Sequence, residues 1–86
     1  MFTTYILYSP RINQFYAGSC EDFNDRFYRH NSGQSLATKK GVPWQVVATF
    51  ESNSRSEAYR LEQSIKKRGI ERFLNDRDIL FVKKQR

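Results

Sequence analysis

The sequence predicts a small α+β domain: a three-stranded mixed or antiparallel sheet flanked by helices, in the order β-β-α-β-α-α. Three observations predict it. Runs rich in aromatic and β-branched residues at 3–9, 15–19 and 45–51 read as strands. Polar stretches at 22–30 and 55–68 carry apolar residues at helical spacing. And 86 residues suffice for one modest core, with no room for a deep cofactor fold. Residues 1–82 are expected to form the single domain, and 83–86 a basic tail.

Each element has a local cause. Thr3 to Ser9 form the first strand, and Pro10 to Gln14 the turn that follows. Phe15 to Ser19 return as a short second strand, where Gly18 ends the strand or admits a close backbone approach. Asp22 is placed to cap the first helix, and Phe23 and Phe27, four apart, form its buried face. Asn31-Ser32-Gly33 stops that helix. Residues 34–44 make a polar loop holding Gly41 and Pro43. In the third strand, strict alternation sets Val47, Thr49 and Glu51 against Val46, Ala48 and Phe50. Ser54-Arg55-Ser56-Glu57 is a capping-box pattern opening the longest helix, with Ala58, Leu61 and Ile65 as its apolar stripe and Gly69 as its stop. A further short helix is expected around Ile70–Leu74. Ile79 to Val82 fit helix or strand equally.

Composition narrows the function. Fifteen Lys/Arg against nine Asp/Glu give a net charge of +6 and a pI near 9.8, which points first to nucleic acid and second to anionic membrane. The charge is not one block: residues 1–43 carry five basic and three acidic groups and 44–86 carry ten and six, as solvated helix faces also do. A single cysteine, Cys20, excludes an internal disulfide, and a single histidine, His30, excludes a histidine cage for zinc. With no signal-like segment and no apolar run near 18 residues, a cytoplasmic protein without a membrane partner is expected.

Three sets of residues can carry chemistry. Arg26 and His30, four apart, project together from the first helix beside the Phe23/Phe27 stripe, and arginine suits two-pronged phosphate binding. A solvated helix flank explains the pair as simply. Glu62 lies at the margin of the Ala58/Leu61/Ile65 stripe, where a carboxylate needs a partner or a metal. An ion pair with Lys66 at i+4 is the plainer explanation. Tyr5 and Tyr16 fall on the two hairpin strands, a common setting for packing tyrosines.

Taken together, these residues resemble the GIY-YIG nuclease superfamily, in its small stand-alone single-domain group. Thr3-Thr4-Tyr5 stands where the family's GIY strand begins, keeping only the tyrosine, and Tyr16-Ala17-Gly18 stands for YIG. Arg26, ten residues on, leads to His30-Asn31-Ser32-Gly33 in the family's R-x-x-x-H-N-S-G spacing. Thr38-Lys39-Lys40-Gly41-Val42-Pro43-Trp44 is close to a T-K-x-G-x-P-W loop, and Arg55-Ser56-Glu57-Ala58 leads to Glu62 as R-S-E-A leads to the family's metal-binding glutamate. The resemblance runs from about residue 3 to 74.

It implies endonucleolytic hydrolysis of DNA phosphodiester bonds, with Mg²⁺ (or Mn²⁺) held by Glu62, and a structured substrate of DNA repair or recombination. Arg26 would clamp the phosphate as charge builds. Tyr5 would be the base and Tyr16 would orient water or phosphate. A free phenol, with pKa ~10, needs help from its surroundings to act near pH 7. His30 would relay a proton or position Tyr5. Lys39, Lys40 and Trp44 suit phosphate contact and stacking, with Asn31 and Lys66 completing the expected nucleic-acid contacts; Trp44 fits a core anchor equally well. The alternative is a non-catalytic or partner-dependent DNA-binding module that keeps the fold. A monomer is favoured, with room for a protein partner supplying further DNA-binding surface. The nuclease reading requires Tyr5, Tyr16, Arg26, His30 and Glu62 to converge on one concave face.

Overall fold

The computed structural model describes residues 1–79. Strands β1 (Phe2–Ser9) and β2 (Gln14–Cys20) form a hairpin, and β3 (Gln45–Ser52) pairs with the other side of β1. Both pairings are antiparallel and the strand order is β2-β1-β3, which settles the mixed or antiparallel alternative. Helix α1 (Phe23–Asn31) follows the hairpin; α2 (Arg55–Arg68) and α3 (Ile70–Asp76) follow β3. The expected order is therefore the observed one. Residues 80–82 of the ambiguous segment, and the basic tail at 83–86, lie outside the described residues.

Central position explains β1. Every residue from Thr3 to Tyr8 is buried, because the strand is flanked by strands on both edges and covered on both faces. On one face Ile6 and Ala17 meet Ile65 of α2 and Phe73 and Leu74 of α3, with Ile79 packed against them. The Thr4 hydroxyl donates to the Ala58 carbonyl oxygen at 2.9 Å, fastening α2 to this side. On the other face Tyr5, Leu7, Cys20 and Trp44 pack with Phe23 and Phe27 of α1.

The helix signals act as written. Asp22 Oδ1 accepts from the Asp25 N–H at 3.1 Å, and Ser54 Oγ accepts from the Glu57 N–H at 3.2 Å. Gly69 terminates α2, and α3 runs two residues past the expected end at Leu74. Arg68 clasps Asp76 through two nitrogens at 2.7 and 3.0 Å, tying the end of α2 to the end of α3.

The alternation expected in β3 is corrected. A bulge lies opposite Ile6/Leu7, where Ile6 pairs with Ala48 but Leu7 pairs with Val46. The extra residue, Val47, turns into the same apolar cluster as Phe50, while Val46 is 44% exposed.

Within the loop, a 3-10 turn at Lys39–Gly41 brings the chain under Trp44. The indole N–H donates to the Thr38 carbonyl oxygen at 2.8 Å. A Cβ at Gly41 would stand 2.3 Å from the indole, so this contact requires glycine.

Candidate active site

The site is organised by two consecutive residues of the edge strand. Gly18 and Ser19 face opposite sides of β2, as neighbours on a strand must. Gly18 pairs with Tyr5 across the hairpin, and a Cβ added there would lie 2.5 Å from Tyr5 Oη. The missing side chain is the space the phenol occupies, which explains the glycine of the Tyr16-Ala17-Gly18 segment. Ser19 donates its hydroxyl to Glu62 Oε1 at 2.6 Å on the opposite side.

On the Gly18 side, α1 delivers His30 to the sheet. Its Nε2 lies 3.0 Å from Tyr5 Oη and its Nδ1 lies 2.7 Å from Thr38 Oγ1. The histidine is 2% exposed and Thr38 1%. The Tyr16 ring stands edge-on to His30, with centroids 5.2 Å apart, and 6.4 Å from Tyr5. Arg26, one helical turn before His30, is exposed, and its charge acts on both Tyr5 and His30.

The electrostatics follow from this crowding. Burial pushes the Tyr5 phenol well above its ordinary value, the adjacent Tyr16 adds to the rise, and Arg26 opposes it through a hydrogen bond and its charge. Burial, then the Arg26 charge, hold His30 below the ordinary imidazole value. Neutral imidazole is thus the resting form near pH 7.

On the Ser19 side, Glu62 projects from α2 with its side chain only 12% exposed. Oε1 is held by Ser19 and Oε2 by Lys66 Nζ, both at 2.6 Å. The i,i+4 ion pair expected from the sequence is present. It does not by itself account for the burial, which the Ser19 bond and the packing of α2 on β2 produce. An open groove of about 460 Å³ begins beside Lys66, lined also by Phe15, Gly69, Ile70, Glu71 and Arg72.

Tyr5, Tyr16, Arg26 and His30 gather on the α1 side, and Glu62 reaches the same strand edge from the α2 side. Gly18 and Ser19, whose Cα atoms are about 3.8 Å apart as in any trans-linked pair, join the two halves.

Two other placements bear on the sequence reading. Tyr5 is fully buried and its hydroxyl bonds to His30 rather than solvent; the hydroxyl of half-buried Tyr16 makes no hydrogen bond among the described residues. Trp44 is a core residue, 5% exposed with its indole N–H engaged, so it has no face to offer a base. Asn31 belongs to the same structure: its Oδ1 accepts from the Trp44 N–H at 2.6 Å and its Nδ2 donates to the Trp44 carbonyl oxygen at 3.1 Å. Both ends of that amide are committed to shaping the loop. Lys39 and Lys40 are exposed and make no ion pair among the described residues. Ser19 was not singled out by sequence, and Thr38 entered only as the first residue of the T-K-x-G-x-P-W segment, with no role of its own. A serine in a strand carries no local mark of function; tertiary contact reveals what both residues bond.

A hairpin carrying two tyrosines, packed between an Arg/His helix and a glutamate helix, defines a nuclease-type catalytic domain. The family model for the GIY-YIG catalytic domain matches residues 1–71, and the chain belongs to that family. Searches of curated proteins and of solved structures gave no match. Nucleases of this family are generally dependent on a divalent metal, and a nuclease domain binds DNA. Among the described residues no helix is long and apolar enough to cross a membrane.

Proposed function

We propose that this chain is a divalent-metal-dependent endonuclease that hydrolyses DNA phosphodiester bonds at the edge of β2. The observation that carries the reading is the meeting, at Gly18–Ser19, of a phenol–histidine cluster with a half-buried carboxylate. A wholly structural carboxylate is more economically left at the surface, because desolvating it costs free energy.

The donors suit magnesium. Glu62 and the Ser19 hydroxyl are hard oxygen groups, and magnesium commonly takes one or two protein carboxylates while keeping waters and phosphate oxygens. Glu62 would hold the ion, and Lys66 would swing aside; an ion pair with a partner 46% exposed contributes only ~0–1 kcal/mol, so its release is inexpensive. When bound, the ion supplies Lewis-acid stabilisation of negative charge on the phosphate.

The chain's own residues do the rest. Arg26 grips the phosphate and stabilises charge that grows in the transition state. Tyr16 is the phenol that meets solvent, and it orients the attacking water or accepts its proton. Tyr5, fully buried, stands behind Tyr16 as its support, replacing the role of direct base expected from sequence. His30 holds Tyr5. Lys39, Lys40 and, once released from Glu62, Lys66 supply sequence-independent phosphate contacts, giving weak, salt-sensitive binding that a partner protein would strengthen. Branched or flapped DNA, as arises in repair, is the expected substrate, met by a monomer in the cytoplasm.

The test is cleavage of branched, flapped and linear DNA with Mg²⁺ or EDTA, beside Arg26→Ala and Glu62→Ala. Chelation should abolish cleavage, Arg26→Ala should slow it roughly 10²–10³-fold, as loss of one charge-stabilising donor does, and Glu62→Ala should remove it. Equal cleavage by Glu62→Ala would refute the metal assignment. The second reading, a binding module without hydrolysis, is favoured by the engagement of both Glu62 oxygens, and predicts DNA binding with no cleavage of any substrate.

A further inference from the structure

Two hydroxyls of the sheet fasten α2 one helical turn apart. Thr4 and Ser19 are cross-strand partners in the β1–β2 pairing. Thr4 donates to the Ala58 carbonyl oxygen at 2.9 Å, and Ser19 donates to Glu62 Oε1 at 2.6 Å. The first bond fixes the helix backbone. The second fixes a side chain: a residue on a paired strand holds the carboxylate of a helix residue. The two oxygens of that carboxylate have unlike partners. Oε1 is held by a neutral hydroxyl on the short side chain of half-buried Ser19. Oε2 is held by the Lys66 ammonium at 2.6 Å, on a long side chain 46% exposed. A hydroxyl satisfies a carboxylate oxygen without cancelling its charge. An exposed i,i+4 ammonium contributes little and leaves readily. The fixed partner therefore preserves the negative charge of Glu62, and the charged partner is the exchangeable one. The ammonium also shows that the space beside Oε2 accepts a cation.

We infer that Ser19 is a positioning residue for the metal ligand: its hydroxyl locks Oε1 of Glu62 and so reserves Oε2, where the Lys66 ammonium sits, for the divalent ion. Ser19 acts through Glu62, as groups bonded to a metal ligand do when they set its orientation. Lys66 and the ion then compete for one oxygen. The ion itself rests on the nuclease reading, which assigns it to Glu62; the Ser19–Glu62 bond does not.

Binding of Mn²⁺, followed by electron paramagnetic resonance of the free ion without DNA, tests this apart from cleavage. Glu62→Gln supplies the background. Above that background, Ser19→Ala should bind Mn²⁺ roughly 10–100-fold more weakly than the wild type, the range for lost partners of a metal ligand. Ser19→Thr keeps the hydroxyl on a residue that suits a strand, and should recover most of the loss. Lys66→Met should bind Mn²⁺ roughly 2–5-fold more tightly, because a competing exposed ion pair is gone. A Ser19 that only satisfies the fold would lower the melting temperature of Ser19→Ala and leave its Mn²⁺ affinity at the wild-type value, which overturns the inference. Equal or weaker binding by Lys66→Met overturns it too, and that measurement stands even if Ser19→Ala does not fold. A wild type that binds no more Mn²⁺ than Glu62→Gln refutes the metal assignment itself, and the inference with it.

Discussion

The two faces of the sheet are built on different principles. The α2/α3 face is mainly apolar: Ile6, Ala17, Ile65, Phe73 and Leu74 fill its core, and, among the described residues, its side-chain hydrogen bonds to the sheet are those of Thr4 to Ala58 and of Ser19 to Glu62. The α1 face is a network in which Tyr5, His30, Thr38 and Trp44 are each buried and each bonded through a polar atom. The first face needs volume and shape. The second needs particular atoms at particular places, because every buried polar group must find its partner. The lesson is that the α2/α3 face supplies stability, while the α1 face uses that rigidity to hold a polar cluster against the strand edge.

The largest effect on this contrast should come from Ile65→Ala. Ile65 is fully buried beneath the sheet, so truncation should cost ~2–5 kcal/mol of stability, measured by denaturant unfolding. The imidazole NMR signals of His30 should be unchanged while the variant remains folded. Shifted signals would mean that the two faces are not separable.

A smaller effect sharpens the comparison from the other side. The folded-state pKa of His30 lies below the ordinary value of ~6.5, so the unfolded chain binds the proton more tightly. His30 therefore adds a loss of stability as pH falls from ~6.5 toward the lowered folded value, and contributes no pH dependence above ~6.5. In Tm measurements between pH 8 and 5, roughly spanning that window, the wild type should lose more on acidification than His30→Gln. Parallel curves would contradict the burial of a neutral imidazole.

The same contrast explains what was legible in the sequence. The α2/α3 face follows from periodicity: Ala58, Leu61 and Ile65 at helical spacing, with the Ser54 cap and the Gly69 stop, predict α2 at Arg55–Arg68 as observed. Arg26, His30, Tyr5, Tyr16 and Glu62 were legible through family spacing. The Ser19–Glu62 bond was not, because a linear motif does not say which strand residue a helix will meet. Trp44 was undecided between core and surface; the Thr38 carbonyl decides it through a contact six residues back, inside a loop without periodicity. The bulge at Val47 escaped because alternation carries no mark of an extra residue.

The central claim is that one active centre spans the β2 edge, with Tyr16 on one side and Glu62 on the other. Single-turnover DNA cleavage by Tyr16→Phe and Glu62→Gln, with DNA binding measured alongside, tests it most directly. Each variant removes one functional group without altering the packing volume. Both should bind DNA as the wild type does and both should lose cleavage. Wild-type cleavage by either variant would contradict a site shared across that edge.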